Sequence, residues 1–317
     1  MSQGASVEDV IGTIRAVYGR WTRATSIAAM REDWDALFAP RAAPWPQHCV
    51  DAGGVPAEWI APPDIRASRT ILYLHGGGFR LGSIDSHRDL MQRLALATNA
   101  RILAVAYRLC PEHRFPAALT DATQAWNWLS STDDGPLCIA GDSAGAGLAV
   151  GTMLAARERG MPMPDAAFLM SPWVDLAATG ASYVTQAASD PMHQRRMIVA
   201  MAKDYLGAEA DLRNPEASPL YADLSGLPPL LIQCGGRDVI LDDAREFARR
   251  ARDAGAQVSL QIYDAMIHVF QMFGELAEAQ DALNDAGVFL SRKAAGQGNI
   301  IRGETNASAR DAEGHQP

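Results

Sequence analysis

LCIAGDSAGAGLAVGTMLAARERG, residues 137–160, is the stretch on which the fold turns. It opens as a short apolar run, as expected of a strand buried on both faces, and from Gly147 onward it is helix-prone. At the junction stands Gly141-Asp142-Ser143-Ala144-Gly145, a Gly-x-Ser-x-Gly pattern in the strand-to-helix context that it requires. A side chain presented on so sharp a turn needs tiny neighbours two residues to either side, because anything larger collides with strained backbone or adjacent elements. Both positions are glycine. The turn exposes the Ser143 hydroxyl and aims the first N–H groups of the helix at charge developing on a carbonyl oxygen. Taken alone, the pattern also fits a glycine-rich turn with an ordinary serine, so the flanking sequence has to decide.

Outward from this junction, short β-type runs alternate with helix-period segments from residue 69 onward. The runs are ILYLH (71–75), ILAVAY (102–107), LCIAGD (137–142), AAFLMS (166–171), LLIQCG (230–235) and VSLQIYD (258–264). Such alternation predicts a mostly parallel sheet covered by helices on both faces. Apolar stripes at Leu90, Leu94 and Thr98, and at Leu119, Ala122, Trp126 and Leu129, mark two of the helices. A third follows Leu241, with Ala244, Phe247, Ala248 and Ala251 on one face, arginines on the other and Gly255 placed to end it. Upstream, Asp51-Ala52-Gly53-Gly54 between β-prone flanks predicts an antiparallel hairpin over Cys49 to Ile60. Residues 1–44, which carry Trp21, Trp34 and the stripe Val10, Ile14 and Val17, and residues 176–222, which include MIVAMAKDYLG (197–207), break the alternation and read as a helical lid. The polar stretch from Ala294 to Pro317 reads as a tail.

His75-Gly76-Gly77-Gly78-Phe79 follows the ILYL run directly. Three consecutive glycines cost backbone entropy on ordering, which suggests main-chain N–H groups brought close to something such as a developing oxyanion. A phosphate-binding loop would need G-x-x-x-x-G-K-[ST], which is absent there. A serine hydroxyl attacks only when a base takes its proton. Of the seven histidines, His48, His87, His193 and His315 read as surface or local structure, His75 opens the glycine loop, and His113 lies in a proline-bounded turn. His268, a few residues past the last strand, is the candidate base. The carboxylate that orients it is assigned to Asp238, just past LLIQCG. Asp242 and Asp243 precede a helix stripe and read as caps. The order Ser143, Asp238, His268 is that of α/β-hydrolase chains.

Composition bounds the partners. The chain has 317 residues, 48% hydrophobic and 21% charged, with a formal charge of −9. These values suit a globular protein and make nucleic acid a poor partner. Cys49, Cys110, Cys138 and Cys234 form no CxxC pair, and three of them sit in apolar runs as buried, reduced thiols. No metal is implied. The N-terminal sequence has no secretory pattern and the longest greasy region, 137–156, holds Asp142 and four glycines, so the expectation is a cytoplasmic protein without a membrane span. Asn306-Ala307-Ser308 is read as a chance sequon.

Together these residues resemble the hormone-sensitive lipase family of α/β-hydrolases, especially its bacterial carboxylesterase branch. The resemblance runs from about residue 69 to 273 through His75-Gly-Gly-Gly-Phe79, Tyr107-Arg-Leu-Cys-Pro-Glu-His113, Gly141-Asp-Ser-Ala-Gly145, Ser171-Pro-Trp-Val-Asp-Leu176, Asp238 and His268. It implies the α/β-hydrolase fold with a helical cap, a triad of Ser143, Asp238 and His268, and oxyanion donors at the amides of Gly77, Gly78 and Ala144, with no cofactor. Residues 1–44 become an N-terminal cap segment, 45–175 and 223–293 the catalytic core, 176–222 an inserted cap segment and 294–317 a disordered tail. Three departures stand out: Ala146-Gly147 in place of Gly-Asn, Val239 in place of proline and Val269 in place of glycine.

The expected activity is hydrolysis of short to medium acyl esters through an acyl-enzyme. Lids rich in Trp, Met and Ala, with no cationic cluster, suggest an uncharged substrate. The same machinery would open a lactone, and some members of the family are described as lactone hydrolases of terpene pathways. A non-catalytic binding protein of the same fold is the alternative from another class, and the presence of all three triad residues weighs against it. A homodimer is compatible with this reading.

Overall fold

The computed structural model describes residues 5–63 and 66–294. The expected tail beyond Ala294 and the sequon at Asn306 lie outside the described residues.

The strands are β1 (His48–Asp51), β2 (Pro56–Ile60), β3 (Arg69–Leu74), β4 (Ala100–Val105), β5 (Leu137–Asp142), β6 (Ala166–Met170), β7 (Leu230–Gly235) and β8 (Val258–Tyr263). They form one sheet in the order β1-β2-β4-β3-β5-β6-β7-β8, with antiparallel pairing at β1-β2 and β2-β4 and parallel pairing elsewhere. The helices are α1 (Val7–Tyr18), α2 (Ile27–Phe38), α3 (Ile84–Thr98), α4 (Ala117–Thr132), α5 (Ala144–Glu158), α6 (Ser182–Thr185), α7 (Arg195–Leu206), α8 (Leu241–Asp253) and α9 (Ala277–Ala294). The chain has the α/β-hydrolase fold.

Side chains alternate across the sheet as a two-residue period demands. On β3, Leu72 and Leu74 join the cluster built around Trp126, Trp173 and Phe247 on the face of α4, α5 and α8. Ile71 and Tyr73 join the opposite cluster with Trp34, Phe38, Phe273 and Leu290 on the face of α1, α2, α3 and α9. Burial on both faces explains the apolar runs.

Two strands are displaced from expectation. β3 begins at Arg69 because Arg69 and Thr70 pair with Ala100 and Arg101 of β4, and their polarity conceals the strand. β4 ends at Val105, opposite the start of β2, and Tyr107 leaves the sheet to send its hydroxyl to the His75 carbonyl at 2.6 Å. The predicted hairpin is present. Gly53 and Gly54 both take positive φ in its turn, and Asp51 accepts the Gly54 N–H.

Residues 5–44 contain α1 and α2. A capping box between Ser6 and Asp9 starts α1, which buries Val10, Ile11, Ile14 and Val17. Trp34 and Phe38 of α2 are buried, with the Phe38 ring tilted against that of Phe273 at 5.6 Å between centroids. The second lid segment contains α6 and α7, then returns to the sheet, where Leu220 N–H donates to Val174 and Ser218 Oγ accepts from Leu176.

Asp242 and Asp243 are not the caps that the sequence suggests. They lie inside the first turn of α8, where Asp242 N–H donates to Ser182 Oγ at 3.0 Å and Ser182 N–H returns a bond to Asp242 Oδ2 at 2.9 Å. The cap comes from the second lid segment, 60 residues away in sequence. Asp243 is buried, accepting from Asp175 N–H and the Tyr183 hydroxyl.

Candidate active site

Because β5, β7 and β8 run parallel, their carboxyl ends meet at one edge of the sheet, and Ser143, Asp238 and His268 follow those three ends. The structure brings all three together. His268 Nε2 lies 2.9 Å from Ser143 Oγ, and His268 Nδ1 lies 2.8 Å from Asp238 Oδ2. Ser143 sits at φ 52° and ψ −120°, a conformation that costs a non-glycine residue about 1–3 kcal/mol and persists only where its surroundings enforce it. Those surroundings are tight. A Cβ on Gly145 would lie 2.1 Å from the Leu74 carbonyl oxygen, and one on Gly141 would lie 2.5 Å from that of Gly145.

Asp238 is wholly buried. Its Oδ1 accepts from Ile240 N–H at 3.0 Å, and the Cys234 thiol approaches Oδ2 at 3.5 Å. Burial raises its pKa most, but the charge and hydrogen bond of His268 outweigh it and hold the carboxyl below its ordinary range. For His268, burial is the largest influence and pulls downward. The adjacent Asp238 charge and hydrogen bond, with Asp190 and Asp142, still leave the imidazole above its ordinary value.

Gly77 and Gly78 line the cavity over Ser143 at φ 111° and 63°. Among the described residues, no protein acceptor takes the backbone N–H of Gly77, Gly78 or Ala144. Their loop is fixed from beneath by Asp142, whose Oδ1 accepts from Gly76 N–H at 3.0 Å and the Tyr73 hydroxyl at 2.7 Å. A Cβ at Gly76 would strike that carboxylate at 2.1 Å. Behind it, His87 is fully buried with Nε2 3.4 Å from Asp142 Oδ2, so of the surface-or-local-structure reading of His87 the surface half is wrong. His75 stacks on Tyr107 at 4.4 Å and is driven down to about 3, first by burial and then by His87, so it is neutral. The Tyr107 to His113 segment braces this loop: Cys110 N–H donates to Phe79, and Glu112 pairs with Arg31 of α2.

The second lid segment contributes groups that the sequence reading did not identify. Asp190 accepts from Met192 and His193 N–H, each at 2.8 Å, on Oδ1, and from Val239 N–H at 3.0 Å on Oδ2. A proline at 239 would have no such donor. Burial and the Asp238 charge push Asp190 up to about 6. His193, read as a local lid residue, stands edge-on to His268 with ring centroids 4.6 Å apart and lines the cavity. Burial, then the His268 charge, takes it down to about 3.

The other two departures also find their place. Val269 takes the left-handed conformation at φ 44° and ψ 47°, held by its N–H to Ser171 Oγ at 3.2 Å. Gly147 lies under Trp173, whose carbonyl oxygen would be 2.2 Å from a Cβ there.

The cavity measures about 920 Å³. Its apolar wall includes Trp21, Met30 and Trp34 from the first lid segment and Met197, Ile198 and Met201 from the second. One expectation fails here. The lids do bring cations to the wall, at Arg15, Arg23 and Arg196, a convergence that is not visible when the segments are read separately. Among the described residues, no group of three His, Cys, Asp or Glu side chains is placed to hold a metal ion.

A serine, a histidine and an aspartate in hydrogen-bonded series at the carboxyl edge of a parallel sheet define a hydrolase site of the serine type. A family model described as alpha/beta hydrolase fold matches residues 71–272. An acetyl-hydrolase of Streptomyces hygroscopicus is 44% identical over 256 residues, covering 80% of this chain and 85% of the relative. An esterase of Acinetobacter venetianus is 36% identical over 226 residues, covering 70% of this chain and 75% of its own length. The crystal structure of an esterase from the bacterial hormone-sensitive lipase family superposes with a TM-score of 0.87 at 38% identity, covering 93% of this chain and all of that one. The chain belongs to the α/β-hydrolase family and, within it, to the bacterial hormone-sensitive lipase branch. It is an enzyme of the carboxylesterase class.

Proposed function

We propose that the protein hydrolyses carboxylic esters with short to medium acyl chains, with Ser143 as nucleophile, His268 as general base and acid, Asp238 as its orienting carboxylate, and the amides of Gly77, Gly78 and Ala144 as oxyanion donors. The observation that carries this reading is the series Asp238 Oδ2 to His268 Nδ1 at 2.8 Å and His268 Nε2 to Ser143 Oγ at 2.9 Å, opening on the cavity.

In acylation, His268 takes the hydroxyl proton as Ser143 Oγ bonds to the ester carbon. The carbonyl electrons move onto oxygen, where the three amides receive the charge. Collapse breaks the bond to the alkoxy oxygen, which leaves with the proton from His268. A water then gives its proton to His268 and attacks the acyl carbon, and the acid departs as Ser143 recovers its proton. Asp238 stabilises the imidazolium in both halves. Residues 1–44 and 176–222 serve as a cap that encloses the acyl chain and excludes bulk water. The free, buried thiols of Cys110, Cys138 and Cys234 support a reducing, cytoplasmic setting.

A fluorophosphonate should label Ser143 and no other serine, and a mixed panel of esters and terpene-type lactones should be turned over on the ester side. Labelling elsewhere refutes the site. Faster opening of lactones would replace the substrate reading while keeping the machinery, and no release of alcohol from any ester would point to a binding protein.

A further inference from the structure

Arginines are common on the two lid segments, and most are engaged. Arg20 pairs with Asp33, Arg31 with Glu112 and Arg41 with Glu275, Arg195 bonds the Ala178 carbonyl, and Arg213 lies over the Tyr221 ring. Arg15, Arg23 and Arg196 are different. All three are exposed, none has a side-chain partner among the described residues, and all three line the cavity that contains Ser143. The lid arginines left without a partner are thus the ones on its wall. They come from α1, from the loop after it and from α7, so only folding assembles them.

Among the described residues, no carboxylate on the same wall pairs with them. Its two carboxylates, Asp142 and Asp190, are buried and already accept hydrogen bonds from Tyr73 and Gly76, and from Met192, His193 and Val239. Arg80, a fourth arginine on the wall, pairs with Asp204 at 3.2 Å. Three unpaired cations lining one cavity, in a chain of net charge −9, run against the overall balance. A cleft with low-dielectric walls focuses such a field on what enters it. Guanidinium groups match carboxylates in geometry as well as charge.

We propose that the cavity selects esters bearing a carboxylate, which Arg15, Arg23 and Arg196 receive at its open side while the scissile carbonyl lies at Ser143. This rests on the ester-hydrolase reading above and names its substrate class. Three unit charges at about 8 Å in a largely aqueous setting amount to a preference of roughly tenfold over an uncharged isostere.

The test compares substrates that differ by one charge at constant shape. Monoethyl glutarate is set against ethyl 4-carbamoylbutanoate for an acid on the acyl side, and 3-acetoxypropanoate against 3-acetoxypropanamide for an acid on the alcohol side. The ratio of kcat/KM, acid over amide, is measured on the full chain at low and high ionic strength and again in the R15Q/R23Q/R196Q variant. Because the ratio is taken within one protein, a general loss of activity in the variant cancels. We expect a ratio of about ten for at least one pair at low salt, falling toward one at high salt and in the variant. A ratio of one or less for both pairs overturns the proposal, as does a preference that the triple substitution leaves unmoved. In either case, turnover of the amides leaves ester hydrolysis standing. If neither the amides nor p-nitrophenyl butyrate is hydrolysed, the ester reading itself fails and this proposal falls with it.

Discussion

Asp190 holds two loops together with one side chain. Its carboxylate joins the lid backbone at Met192 and His193 to Val239, the residue after Asp238, and it is one of the charges that keep His268 protonated to higher pH. As the proposed base, His268 must be neutral to accept the serine proton, so activity should fall as pH drops through its pKa, which lies above the ordinary histidine value. Replacing Asp190 by Asn removes a negative charge that favours the imidazolium. The acid limb of kcat/KM should therefore move to lower pH, and a pH–rate profile checks it. An unmoved limb with reduced rate would make Asp190 a brace alone. The proposed triad residues should carry larger effects. Ser143→Ala should lower kcat by roughly a thousandfold or more, and Asp238→Asn by a comparable factor, with the melting temperature of the serine variant little changed.

Among the helices, α1 and α5 make opposite predictions for the same substitution. Alanine is favoured over glycine in a helix interior by about 1 kcal/mol. At Gly12 of α1 an added Cβ meets nothing within 4 Å, so Gly12→Ala should raise stability by up to about that amount. At Gly147 of α5 the Trp173 carbonyl stands 2.2 Å from the Cβ position, so Gly147→Ala should cost about 1–3 kcal/mol despite the better propensity. Denaturant unfolding of the two variants tests the sign. The start of α8 gives a third case, because its cap comes from Ser182 rather than from its own aspartates. Ser182→Ala should lower stability by about 0.5–2 kcal/mol, measurable in the same way.

At the scale of the whole molecule, the lids and the sheet edge enclose about 920 Å³ between them. Such a volume is of the size that encloses most of a small ligand, and the proposed cap would set how much acyl chain it takes. Across p-nitrophenyl esters of increasing acyl length, kcat/KM should peak at about two to eight carbons and decline beyond. Efficient turnover of long-chain triglycerides would show that the cap does not limit the chain as proposed.

The sequence alone determined the sheet, the sharp turn at Ser143, the glycine loop and the placement of Asp238 and His268 after strands that end beside Ser143. Each leaves a local mark: buried strands must be apolar, glycine must stand where carbonyls approach within about 2–3 Å of a Cβ position, and parallel strands carry the residues after them to one edge. What only the tertiary structure decided comes from the lids. Asp190 and His193 beside His268, the Ser182 cap on α8 and the three arginines on the cavity wall depend on where residues 1–44 and 176–222 settle. An aspartate that accepts three backbone N–H groups has the same sequence surroundings as one that faces water. The arginines of the wall are equally unmarked beside those that pair elsewhere. Such roles are set by partners distant in the chain, and no local steric rule records them.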